Sequence, residues 1–329
     1  MSAIHLASAG VPELFSANVG WRWLASLDER GRHHLVDDPD AADIVLFTDC
    51  HQLGSDWKLD TIRTSAIARE HHEKVYVYDQ RDRPWCAFPG VYVSMPEPWF
   101  EPRFQSAWSY VPTSEPHVML GLTEAPEIEP DLLVSFVGSP THPLRRELVA
   151  LSHPRGHFES VEGFLFHDWR SDDFDARRAH FAEVLFRSKF VLCPRGHGTS
   201  SIRLFEALAA GRVPVIVSDD WVPPLGPDWD SISVRWPERG PFDALLRRLE
   251  ELEPAATEMG VRARAAFDEW LRLPVLFDRV AELFAGLAAH GAAVGFPPHG
   301  VRGRAYARLV AVDTVGKARH LVRSAKARM

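Results

Sequence analysis

Residues 189–219 read KFVLCPRGHGTSSIRLFEALAAGRVPVIVSD, and this stretch decides the fold. Phe190 to Cys193 is a short apolar run of strand length. Pro194 to Thr199 is a Gly-rich loop. Ser200 to Ala210 reads as a helix, because Ile202, Phe205, Leu208 and Ala209 recur at spacings of three and four. Gly211 stands where a C′ glycine ends a helix. Val213 to Ser218 is apolar on both faces, as a strand buried in a parallel sheet must be. Strand, helix and strand in this order make a βαβ unit.

The same rhythm extends to both sides. Upstream, AADIVLFTD (41–49), KVYVYD (74–79) and GVYVSM (90–95) read as strands, with a helix expected over 58–73. Residues 96–130 carry many prolines and few periodic signals, so they read as a connection. LLVSFVG (132–138) opens a second series, with helices expected over 143–151 and 174–188. After Asp219 come Pro-rich turns, a strand ISVRW (232–236), and helices near 242–253, 256–270 and 276–290. The expectation is an α/β protein with two Rossmann-like domains, 1–128 and 129–290, followed by a helical tail over 291–329.

Composition agrees with that size. The chain has 329 residues, 46% apolar and 25% charged, which suits a globular protein of about two domains. A net charge of −8 argues against a general nucleic-acid binder. The three cysteines are widely spaced and form neither a disulfide framework nor a cysteine zinc site, so reduced thiols in the cytoplasm are expected. MSAIHLASAG has no basic n-region or apolar h-region, so it does not read as a signal peptide. No run approaches the ~18 apolar residues of a membrane span.

The turn Pro194–Ser201 joins a buried strand to a helix N-terminus. Such a junction offers unpaired N–H groups and the positive end of a helix dipole, and phosphate is its usual guest. Gly196 and Gly198 let a guest approach the backbone. Thr199, Ser200 and Ser201 add hydroxyl donors. Arg195 and Arg203 add charge in a form that suits phosphate oxygens. The same residues also suit a plain strand-to-helix turn with a serine N-cap, and the G-x-G spacing lacks the third glycine of the dinucleotide fingerprint. Glu206 lies one turn into the helix on the face of Arg203. There a carboxylate meets the hydroxyl pair of a ribose beyond the phosphates. Its plain alternative is a surface pair with Arg203, contributing a few tenths of a kcal/mol.

This segment resembles the exostosin-type glycosyltransferases, the family of heparan-sulfate polymerases and plant cell-wall transferases. Their signature is a strand, a Gly/Ser loop, an R-L-x-E-A-L helix and a G-x-V-P-V-I-V-S-D strand. VSFVGSPTHPLRREL (134–148) resembles the first strand and Arg-bearing helix of their nucleotide-binding half, and DQRDRPWCAFPGVYVSM (79–95) more loosely resembles the other half. The resemblance implies a GT-B architecture, two Rossmann-like domains facing across a cleft. The C-terminal domain would take a nucleotide-diphosphate sugar as co-substrate, a UDP-sugar first, and the N-terminal domain a glycan or lipid-linked acceptor. Arg195 and Arg203 would face the diphosphate and Glu206 the ribose. Gly138 and Ser139 would line the phosphate side, Arg145 or Arg146 would reach a phosphate, and Asp219 would end the next strand at the cleft.

In such a fold, helix dipole and basic side chains neutralise the leaving diphosphate, so neither a metal nor another cofactor is expected. Inversion requires a base from the opposite domain. Asp49, His51, Asp79 and Asp82 follow strands there, and Asp49 is the first choice. A silent partner subunit of the same fold and a GDP-sugar transferase of the fucosyl type are the alternatives. Asp-x-Asp occurs at Asp38/Asp40, Asp173/Asp175 and Asp228/Asp230, none after a clear apolar strand, and neither H-E-x-x-H nor G-x-S-x-G is present. Residues 301–329 carry eight Lys/Arg against Asp313 alone. They read either as an amphipathic helix on the anionic inner face of a membrane or as a helix packed on the acidic body.

Overall fold

The computed structural model describes residues 1–54, 56, 58–111, 128–161 and 174–296; the basic tail and Asp173 lie outside them. The first sheet contains β1 (Ala3–Ala7), β2 (His34–Leu35), β3 (Ile44–Phe47), β4 (Val75–Asp79), β5 (Gly90–Tyr92) and β6 (Gln105–Ala107). The second contains β7 (Leu132–Gly138), β8 (Gly156–Ser160), β9 (Ser188–Pro194), β10 (Val213–Val217) and β11 (Val234–Arg235). Their orders are β2-β1-β3-β4-β5-β6 and β11-β10-β9-β7-β8. Adjacent strands pair in parallel, so helices carry the chain back between them. The direction of strand order reverses between β1 and β3 in one sheet and between β7 and β9 in the other. Ligands of open parallel sheets bind beyond the carboxyl ends of strands at such a reversal.

The helices are α1 (Asn18–Ser26), α2 (Asp60–Thr64), α3 (Ala66–Glu70), α4 (Pro143–Val149), α5 (Phe174–Arg187), α6 (Ile202–Ala209), α7 (Trp229–Ile232), α8 (Phe242–Leu252), α9 (Ala256–Trp270) and α10 (Leu273–Ala289). Helices cover both faces of each sheet. In the first unit Ile62 and Ala68 pack under Val45, Phe47 and Val77. On its other face Trp21 stacks edge-on to Tyr78 at 4.9 Å, and Phe284 of α10 lies 6.0 Å from Tyr76. In the second unit Leu148 and Leu245 pack against Phe136 and Phe190, while Phe181 and Leu208 share the opposite cluster with Val137 and Val191.

Several elements differ from expectation. β1 and α1 occupy a stretch with no sequence assignment, because AIHLA is short and interrupted by a histidine. The expected helix over 58–73 is two short helices, broken at Ser65, whose hydroxyl accepts the Ala68 N–H at 3.3 Å and caps the second. Residues 229–236 are α7 followed by β11. Helix α10, assigned by sequence to the second unit, packs on α1 and on strands of the first sheet. Its buried Asp278 meets Arg32 at 2.5 Å, and Glu29 N–H donates to the Pro274 carbonyl. The boundary placed at 290 therefore follows the sequence and not the packing. No described helix is long and apolar enough to cross a membrane.

The two units meet through the loops beyond their strands' carboxyl ends. Pro96, after β5, pairs with Trp221, after β10, and Glu97 N–H donates to the Asp220 carbonyl at 2.9 Å. Tyr110, after β6, lies edge-on to Phe205 with ring centres 6.4 Å apart. Thus the two parallel sheets turn the carboxyl ends of their strands toward each other.

Candidate functional site

The second unit's reversal point lies between the turns after β7 and β9, and the expected donor residues cluster there. Gly138 ends β7, and Ser139 donates its hydroxyl to the Val161 carbonyl at 3.1 Å. Arg145 reaches back from α4 to three carbonyls: Arg195 at 2.9 Å, Pro194 at 3.1 Å and Ser139 at 3.3 Å. It thereby ties the ends of β7 and β9 together. These three hydrogen-bond partners are uncharged, and the charge of Asp82 acts on Arg145 from nearby. Burial, reinforced by Arg203, lowers its pKa to about 10.

Arg203 is also buried. Its guanidinium donates to the Val137 carbonyl and lies 4.8 Å from the Phe136 ring centre. A Cβ at Gly138 would press on this guanidinium and require it to shift. Burial lowers the Arg203 pKa. The Arg203–Glu206 surface pair considered from sequence is not what forms: both side chains are interior, and Arg203 turns to β7.

Glu206 is 1% exposed, and neither carboxylate oxygen has a hydrogen-bond partner. Burial raises its pKa to about 7, with Arg203 opposing the shift. The Arg203 Nε, Arg195 Nε and Thr199 Oγ1 are likewise buried without partners. Buried polar atoms are ordinarily bonded, so a concentration of unbonded ones is where ordered water or a polar guest would find partners. Ser201 occupies the N-cap position of α6 without a side-chain cap, and its carbonyl accepts the Leu204 N–H at 3.1 Å.

The remaining expected residues fall around this core. Gly196 packs against Arg145, Ser200 is buried, and Arg146 is exposed on the outside of α4. Arg195 extends to Glu238 at 3.3 Å, which also accepts the Asp219 N–H. Asp219 is thereby fixed in that turn.

Of the acids expected in the first unit, Asp82 comes to the donor turn. A Cβ on Gly198 would lie 2.9 Å from the Asp82 carboxylate oxygen and 2.6 Å from Ser94 Oγ. Asp49 goes elsewhere. It is fully buried, accepts Ala17 N–H at 2.7 Å and Ser16 Oγ at 2.9 Å, and takes Ser8 Oγ at 3.1 Å. Its oxygens are occupied in holding the turn before α1. His51 is exposed in the turn after β3, and Asp79 is closed in a 2.6 Å ion pair with Arg81.

Tyr110 and Ser94, unmarked in the sequence, also lie at this junction, their hydroxyls 3.4 Å apart. Burial, with the Asp82 charge adding, pushes the Tyr110 hydroxyl up to about 12. No periodicity marks either residue. The tight fit at Gly198 has a measurable consequence. Gly198→Ala presses a methyl on the Asp82 backbone and forces the units apart. We expect about 1–3 kcal/mol lower stability in a denaturant titration.

Residues 89–252 match the exostosin GT47 domain. An exostosin-1 homolog from Caenorhabditis elegans is 32% identical over 116 residues, which cover 34% of this chain and 30% of that protein. A probable glucuronosyltransferase of Oryza sativa subsp. japonica is 32% identical over 123 residues, 29% of each chain. The match thus spans less than a third of these relatives' length. Among solved structures, Anabaena HepE in complex with UDP is 11% identical, with 87% of this chain and all of that one covered at a TM-score of 0.38.

Proposed function

We propose that this chain, whose residues 89–252 match the exostosin GT47 domain, is a glycosyltransferase. It moves a sugar from a nucleotide diphosphate, a UDP-sugar, to a hydroxyl of a glycan or lipid-linked acceptor, with inversion and without a metal. The observation that carries this is the Glu206 carboxylate, buried with both oxygens unbonded one turn beyond a cationic helix N-terminus. A ribose diol offers two hydroxyl donors to one carboxylate, and the diphosphate before it meets the N-terminal N–H groups of α6.

The chemistry follows from charge. As the glycosidic bond breaks, negative charge grows on the diphosphate. Arg145, Arg203 and the α6 dipole stand fixed around that position, and preorganised donors act most where charge develops. Asp82 enters from the opposite unit, on the side where an acceptor hydroxyl attacks. It takes that proton as the acceptor oxygen bonds to the anomeric carbon. Leu14 and Phe15 are 86% and 67% exposed in the turn after β1 and suit an acceptor with an apolar portion.

Turnover tests the proposal. UDP release from a panel of UDP-sugars is expected, accelerated by the acceptor. Nucleotide binding without release, whatever the acceptor, would identify a silent partner subunit. Release from GDP-sugars alone would move the assignment to the fucosyl type.

A further inference from the structure

We propose that His157, Glu159 and His180 form a binding site for a zinc-class divalent transition-metal ion, which clips α5 to the edge of the second sheet. Strand β8 is the edge strand beside β7. His157 and Glu159 are two residues apart on it and so project from one face. Helix α5 packs on β7 and β9 beside it and brings His180 to the same point. His157 Nε2 lies 2.9 Å and His180 Nε2 2.7 Å from one oxygen of Glu159. All three ligand atoms lie within 4.8 Å of one another, and the imidazole centres are 5.9 Å apart. Among the described residues this is the one group of three such side chains so arranged.

The donor set identifies the ion. Two imidazoles and a carboxylate suit zinc and its neighbours, whereas magnesium and calcium prefer oxygen ligands alone. A tetrahedral centre with bonds near ~2.1 Å separates its ligand atoms by about 3.3 Å. Each nitrogen–oxygen contact therefore needs to widen by only roughly half an ångström for the ion to replace both hydrogen bonds. All three side chains are partly exposed, which leaves a fourth position for water.

The clip sits next to the donor site without being part of it. Glu159 is paired in register with Val137, whose carbonyl receives Arg203. Phe181 follows His180 on α5, and its ring centre is 5.9 Å from the Arg203 guanidinium carbon. An ion holding α5 on β8 thus also holds Phe181 over Arg203.

The test uses untagged full-length protein stripped with EDTA and titrated with Co²⁺ as the spectroscopic probe. One equivalent is expected to produce visible d–d absorption, Zn²⁺ to displace it, and Zn²⁺ to raise the thermal midpoint while Mg²⁺ does not. His180→Ala and His157→Ala should each raise the cobalt Kd at least tenfold with an unchanged far-UV CD spectrum. Absence of a one-equivalent band would overturn the proposal. So would an undiminished band in the double variant, since the metal would then reside on others of the sixteen histidines. None of these outcomes depends on nucleotide binding.

Discussion

Glu206→Gln is expected to stabilise the ligand-free protein at pH 8 and to leave it almost unchanged at pH 4. The cause is the buried carboxyl, whose pKa rises from 4.5 to about 7 on folding. Between those values the folded protein holds a proton that the unfolded chain has released. Stability therefore falls as pH rises from 4.5 through 7 and is flat above. The full effect is on the order of 3 kcal/mol, and the amide escapes it because it never ionises. A gain of about 1–3 kcal/mol at pH 8 in urea titrations is expected, with wild type and variant converging in acid. Nucleotide affinity moves the other way. Hydrogen bonds to a charged acceptor contribute about 1.5–3 kcal/mol, so the Kd for UDP should rise roughly ten- to hundredfold. A gain in stability joined to a loss of binding is what a carboxylate held for a ligand predicts. A carboxylate serving the fold would lose both.

Asp82→Asn should lower kcat by about 10²–10⁴ while the Kd for UDP stays within about twofold. The carboxylate lies against Gly198 from the first unit, so on the proposed function its loss removes the proton acceptor and spares the ribose and diphosphate contacts. Asp82 also adds negative charge near Arg145. Neutralising it should therefore strengthen nucleotide binding slightly if it changes it at all. An Asp82→Asn enzyme with normal kcat would return the search to other groups on the first unit's edge.

The segment 189–219 was readable because its signals agree. Both flanking strands are apolar on both faces, the helix stripe is regular, and Gly211 closes it. In the structure Gly211 takes φ +64°, with Arg212 N–H bonded to the Ala207 carbonyl and Gly211 N–H to Leu208. That is the Schellman pattern a C′ glycine announces. Less was readable where the deciding partner is remote in sequence. Asp49 and Asp82 both follow parallel strands of the first unit, and nothing local separates them. Asp49 is claimed by Ser8, Ser16 and Ala17, more than thirty residues upstream, whereas Asp82 lies against Gly198. Arg203 looks like a partner for Glu206 until β7, 66 residues away, supplies the Val137 carbonyl. Strand β8 (GHFES) escaped notice because an edge strand can carry polar residues on its exposed positions. The packing of α10 on the first unit depends on contacts with Tyr76 and Arg32 that no periodicity in 273–289 reveals.

The central assignment is a nucleoside diphosphate seated on the turn before α6 with its ribose on Glu206. Thermal-shift measurements with UDP, GDP, CDP and ADP test it most directly, on wild type and on Glu206→Ala. A ligand at a hundred times its Kd stabilises by about 2.7 kcal/mol, enough for a shift of several degrees. We expect UDP to give the largest shift in wild type and Glu206→Ala to abolish most of it. No shift with any of the four, or equal shifts in both proteins, would contradict the assignment.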